Sequence, residues 1–156
     1  MKTHRTEAVP KMEDLIPLIT DRLETGQEVR FSPRGTSMLP MLRQGRDSVV
    51  LSKPSAALKR FDLPLYRRDD GKYVLHRIVK TGPTYTCMGD HQFAEETGIR
   101  PDQILAVVTA FYRDDRFCPV TAVGYRMYCV FWHCSRPVRR FVHRVAGWLK
   151  RHILRR

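Results

Sequence analysis

A hydroxyl, an imidazole and a carboxylate stand in three separated segments of this chain, and together they are the groups of nucleophilic hydrolysis. The segment Arg34-Gly35-Thr36-Ser37-Met38-Leu39-Pro40-Met41-Leu42 sets Ser37 between a flexible glycine and two large apolar residues that flank a proline. Gly35 lets the backbone come close to a ligand, and Pro40 fixes the exit direction. Taken alone, a loop serine is usually a turn residue. The segment Tyr73-Val74-Leu75-His76-Arg77-Ile78-Val79 places a histidine inside an apolar run. Period 2 puts Leu75, Arg77 and Val79 on one face and Val74, His76 and Ile78 on the other, so His76 is expected to point to an apolar side. A core histidine satisfied by a backbone partner is the commoner reading of such a residue. The third segment, Thr86-Cys87-Met88-Gly89-Asp90-His91-Gln92, is a strand running into Gly-Asp, where an isolated aspartate is ordinarily a solvated turn residue.

The elements that must carry these residues follow from periodicity. Met12, Leu15, Ile16, Ile19 and Leu23 recur at helical spacing, Glu13 and Asp14 stand in the first turn, and Gly26 is a natural stop. A short helix over Met12–Thr25 is therefore expected, with Pro17 tolerated near its start. Six runs rich in β-branched and aromatic residues come next: Val29–Phe31, Ser48–Leu51, Leu63–Tyr66, Tyr73–Val79, Tyr85–Met88 and Ile104–Tyr112. With no helices between them, they predict a mainly β domain, a small antiparallel barrel or folded sheet. Pro64 would put its strand at a sheet edge.

With 156 residues, 42% of them apolar and 28% charged, the chain suits one folded domain. Its net charge of +12 suggests nucleic acid until it is located. Residues 116–156 hold ten of the 28 lysines and arginines and none of the 16 acids, so the remainder is nearly neutral. The parts read as an N-terminal helix over 1–27, a β-domain over 28–115 and a basic tail over 116–156. From Arg136 onward Val138, Phe141, Val142, Val145, Trp148, Leu149 and Ile153 repeat at three- and four-residue intervals between arginines. This is an amphipathic helix with a basic face. It suits an anionic membrane surface through residues 136–156. The alternatives are packing of the stripe on the β-domain and, less favoured, contact with RNA or DNA.

Taken together and in order, the three segments resemble the signal peptidase branch of the serine peptidase superfamily that also holds the LexA-type self-cleaving repressors. The Gly-x-Ser-Met-x-Pro box reads Gly35-Thr36-Ser37-Met38-Leu39-Pro40, and the following Gly-Asp-x-Val-like turn reads Gly45-Arg46-Asp47-Ser48-Val49 with one residue inserted. The strand with a His-Arg pair is Leu75-His76-Arg77-Ile78, and the Gly-Asp box is Gly89-Asp90. The match runs from Phe31 to about Tyr112. Histidine at the base position is the endoplasmic-reticulum and archaeal pattern; Lys72 and Lys80 lie about 13 Å away along an extended strand.

The resemblance implies a signal peptidase/LexA-type β-fold and a serine endopeptidase that removes a leader or signal-type segment from a precursor peptide. Ser37 would be the nucleophile, His76 the base and Asp90 the group that orients the imidazole. Glu95 or Glu96 could assist. The backbone N–H groups of Ser37 and Gly35 would form the oxyanion hole. No metal or cofactor is implied. A catalytically inactive peptide-binding or membrane-surface module of the same fold is the alternative. A LexA-like regulator is disfavoured, because a single N-terminal helix is no helix-turn-helix.

The chain departs from the family in two ways: His91-Gln92 stand where asparagines are preferred, and no run is long enough for a transmembrane anchor. With no secretory-signal pattern at the N-terminus either, a cytoplasmic location, peripheral to the membrane, is expected, with no specific nucleic acid partner. Cys87, Cys118, Cys129 and Cys134 show no zinc-like spacing and are expected to be mostly reduced, a Cys129–Cys134 bridge being the minor option.

Overall fold

The computed structural model describes residues 12–153. Helix α1 (Met12–Glu24) matches the apolar spacing and buries Ile16, Ile19 and Leu23. It ends at Gly26, whose φ of 76° is the left-handed value that glycine takes without strain. The strands are β1 (Val29–Phe31), β2 (Asp47–Ser52), β3 (Pro64–Arg67), β4 (Tyr73–Leu75), β5 (Arg77–Lys80), β6 (Tyr85–Met88), β7 (Glu96–Ile99), β8 (Ile104–Arg113) and β9 (Arg116–Pro119). They form two antiparallel sheets. One runs β1-β2-β8-β3-β4, with β9 also paired to β8; the other runs β5-β6-β7. The molecule is thus mainly β with three helices. The larger sheet stays open, because β1 and β4 remain its edges and do not pair to close a barrel.

Three expectations about the strands are corrected. Tyr73–Val79 is not one strand: β4 pairs with β3 in the large sheet, and β5 pairs with β6 in the small one. The chain changes sheets at His76, as strands do at the corners of folded sheets. β3 is interior, between β8 and β4. Pro64 is tolerated because it is the first residue of that strand, and pairing with β4 begins only at Leu65. Finally, β7 and β9 were not expected, since Glu-Thr-Gly-Ile and Arg-Phe-Cys-Pro lack a run of β-formers.

The apolar core lies in two clusters that match the two sheets. One joins α1 to the large sheet through Leu23, Val49, Leu51 and Leu65, and includes Met38, Met41 and Leu42 from the serine segment. The other gathers Tyr66, Ile78, Tyr85, Cys87 and Ile99. Two helices complete the chain, α2 (Val123–Cys134) and α3 (Arg136–Ile153). The second is the amphipathic helix expected from Arg136. The first is an addition, formed where Tyr125, Tyr128, Cys129 and Trp132 share one face at helical spacing. β9 and α2 pack on the β-domain, although both lie beyond residue 115. No helix among the described residues is long and apolar enough to cross a membrane. All four cysteines are free thiols, Cys129 buried and Cys134 exposed on the same helix, so no bridge joins them.

Candidate active site

Ser37 is held in place by its neighbours on both sides. Met38, Met41 and Leu42 are each at most 5% exposed and anchor the segment in the core, while Ser37 is half-buried. The Arg113 guanidinium donates to the Met41 carbonyl at 2.6 Å. The turn after Leu42 is closed by Asp47, which accepts from the Arg43 N–H at 2.8 Å and pairs with Arg46. From the other side the His91 N–H donates to the Ser37 carbonyl at 2.9 Å. Gly89 makes that approach possible: a Cβ there would stand 2.6 Å from the Ser37 carbonyl oxygen, closer than real Cβ contacts come. The Gly-Asp box therefore supports the serine through its backbone.

His76 sits at the corner between β4 and β5, only 2% exposed, and lines the same cavity of about 270 Å³ as Ser37. Phe31, Pro33, Gly35 and Leu75 also line it, so it opens between the β1 and β4 edges of the large sheet. No hydrogen bond joins the Ser37 hydroxyl to His76 among the described residues. The Nδ1 of His76 lies 3.1 Å from Glu96 Oε1, on β7. Glu96 is held in turn by Arg68 and by the Tyr66 hydroxyl, which donates to Oε2 at 2.8 Å. Nδ1 also lies 3.4 Å from the Tyr66 hydroxyl; a proton on Nδ1, facing the carboxylate, would leave Nε2 as the basic nitrogen.

The pKa shifts follow from these contacts. Burial lowers His76 below the ordinary imidazole value, and the charge of Glu96 opposes part of that shift. Burial pushes the Glu96 carboxyl up, but the hydrogen bonds from Arg68 and Tyr66 together with the charges of His76 and Arg68 hold Glu96 below the usual carboxylate range. At neutral pH the pair is a neutral imidazole beside a carboxylate.

Asp90 has a different role from the one expected of it. Its carboxylate forms a two-point ion pair with Arg77, both contacts at 2.8 Å and both residues 3% exposed. Tyr128 donates to Oδ2 at 3.1 Å, and the Trp132 indole donates to the Asp90 carbonyl at 2.8 Å. Arg77 also donates to the Tyr125 hydroxyl at 2.8 Å and to the Cys129 thiol at 3.0 Å. Burial lowers the Arg77 pKa, but the Asp90 charge and hydrogen bonds more than compensate and raise it well above its ordinary value. The carboxylate within reach of His76 Nδ1 is that of Glu96. Asp90 itself is acceptor to Arg77, whose side chain could not stay charged and buried without it.

The oxyanion donors also divide. The Gly35 N–H is taken up by Gln44 Oε1 at 2.9 Å, whereas the Ser37 N–H donates to nothing among the described residues. Glu95, weighed beside Glu96, instead binds Arg136 and Lys80. Nothing local separates Glu95 from Glu96, because Glu-Thr-Gly-Ile lacks the run of β-formers that marks a strand. Tyr66, Arg68 and Gln44 are additions that the three sequence segments do not contain. Period-2 spacing from Tyr66 on β3 to Arg68, just past its end, is the one local signal for the first two.

Comparison with known proteins finds no matching family model, no matching curated protein and no matching solved structure.

Two outcomes test this arrangement. Gly89→Ala should destabilise the fold by about 1–3 kcal/mol in urea unfolding, because backbone must move to admit the methyl. Asp90→Ala should cost about 3–5 kcal/mol, the penalty for leaving a buried guanidinium unpaired, and Arg77→Met/Asp90→Leu should recover most of it.

Proposed function

We propose that the protein is a serine endopeptidase of the signal peptidase-like kind, acting on an extended leader or signal-type segment of a precursor peptide. One observation carries this reading: Ser37 and His76, from segments far apart in sequence, line one cavity, and the imidazole has the partly exposed Glu96 carboxylate 3.1 Å from its Nδ1. In this reading the substrate lies along the open β4 edge, where its backbone can add to the sheet. His76 Nε2 takes the Ser37 proton as the hydroxyl attacks the scissile carbonyl, and later returns it to the leaving amine. Glu96 holds the tautomer and stabilises the imidazolium. The Ser37 N–H donates to the developing oxyanion; one such donor is worth roughly 3 kcal/mol of barrier.

A second reading, a silent peptide-binding module of the same fold, is favoured by the missing Ser37–His76 hydrogen bond and by the engagement of Gly35 with Gln44. A fluorophosphonate probe separates the two. Labelling that disappears in Ser37→Ala and in His76→Ala supports the peptidase. Labelling that persists in Ser37→Ala, or none in the wild type, removes it.

The pH dependence has a definite sign. The base must be neutral, and burial lowers the His76 pKa, so the acid limb of kcat/KM should fall below the ordinary histidine value of about 6.5. Glu96→Gln deletes the charge that raises His76, so the limb should move to still lower pH, while kcat falls by roughly 10² to 10⁴-fold. A limb that moves to higher pH in Glu96→Gln contradicts the assigned pairing.

A further inference from the structure

Helix α3 is docked the wrong way round for an amphipathic helix that covers a core. At 100° per residue, Val138, Phe141, Val142, Val145, Trp148 and Leu149 fall within an arc of about 120°. The residues that touch the body lie outside that arc. Arg136 donates to the Phe93 carbonyl at 3.0 Å and pairs with Glu95 at 2.6 Å. Arg139 donates to the Asp90 carbonyl at 3.3 Å and to the Trp132 carbonyl at 2.7 Å. The ring of His143 packs edge-on against Phe93, with centroids 5.2 Å apart. The helix is fastened by its polar side, and its apolar stripe faces outward.

Exposure agrees with this orientation. The six stripe residues are between 39% and 67% exposed. α2 repeats the pattern: Tyr125, Tyr128, Cys129 and Trp132 face the body, while Val123, Met127, Val130 and Phe131 are 51% to 73% exposed. A helix apolar on both sides has a second apolar environment to meet, and outward patches of this kind mark docking surfaces. The packing alternative for the stripe is therefore excluded among the described residues.

Charge selects the occupant. Residues 116–156 carry ten lysines and arginines and no acid, and on α3 Arg144, Arg151 and Arg140 stand beside the Trp148 edge of the stripe without a protein acid as partner among the described residues. A second copy of the chain would bring the same cations against them. A protein groove would have to be both apolar and strongly acidic. An anionic lipid surface offers both parts at once: acyl chains for the stripe, headgroup phosphates for guanidinium groups on long stems, and an interfacial level for Trp148.

We infer that the outward face of α2 and α3 is a monotopic membrane-binding surface for anionic lipid, with α3 lying in the interface and the body fastened to its polar side. This inference does not rest on the peptidase reading, and its test needs no substrate. The full chain should sediment with vesicles containing phosphatidylglycerol and much less with pure phosphatidylcholine. Phe141→Ser/Trp148→Ser/Leu149→Ser should lower the bound fraction about tenfold or more with unchanged urea unfolding, since all three side chains are exposed. Arg140→Gln/Arg144→Gln/Arg151→Gln should bring binding to the phosphatidylglycerol vesicles down to the phosphatidylcholine level. Salt of about 1 M, with a Debye length of about 3 Å, should do the same for the wild type. The inference is overturned if the wild type stays in the supernatant with both vesicles, or if the serine variant binds as well as the wild type. It is overturned equally if the wild type is a dimer that the serine variant converts to monomer with no lipid binding by either, or if it retains RNA and not vesicles.

Discussion

The buried ion pair between Arg77 and Asp90 is the constraint on which the rest of the site depends. Arg77 follows His76 in the chain, and Asp90 lies between Gly89, whose missing side chain admits the Ser37 carbonyl, and His91, whose N–H holds that carbonyl. One pair of side chains thus couples the corner that carries the imidazole to the turn that supports the hydroxyl. Neither ion could be buried alone, since desolvation of each costs several kcal/mol and only the two-point contact offsets it. Helix α2 closes the arrangement by giving Arg77 the Tyr125 hydroxyl and the Cys129 thiol, and Asp90 the Tyr128 hydroxyl. An element outside the β-domain is therefore part of what holds the site.

The two carboxylates near His76 have different environments and different tasks. Asp90 is locked against a guanidinium with almost no exposure, which suits an architectural charge. Glu96 is partly exposed, shared between Arg68, Tyr66 and His76, and sits on a strand that a small sheet presents toward the imidazole. The corner at His76 makes this possible. A continuous strand would have kept His76 within one sheet; the change of sheet lets it face the cavity while its Nδ1 meets β7.

The same interplay governs the C-terminal helices. Arg136 and Arg139 reach carbonyl oxygens and the Glu95 carboxylate at the end of the Gly-Asp turn, so the polar side of α3 is drawn inward. Arg139 also lies over the Trp132 ring, 3.8 Å from its centroid, joining α3 to α2 through a cation–π contact. Hydrogen bonds and charge decide the docking of this helix, and its apolar stripe is left over.

Local pattern alone determined a good deal of this protein. The Met12 helix, the six expected β runs, the basic helix from Arg136 and the segments carrying Ser37 and His76 all follow from spacing and residue type, because periodicity reports which face of an element is apolar. What pattern could not supply was pairing between distant residues. The Tyr73–Val79 run reads as one strand, since nothing local marks the residue at which its hydrogen-bond partners change sheets. Glu96 lies on a strand that Gly98 disguises, so the Gly-Asp box makes Asp90 the expected partner of the imidazole and Glu96 only a possible assistant, and nothing local shows that Arg77 claims Asp90. The side from which α3 is held was equally hidden, because an amphipathic sequence shows that two faces exist and only the positions of Glu95, Phe93 and Asp90 choose between them.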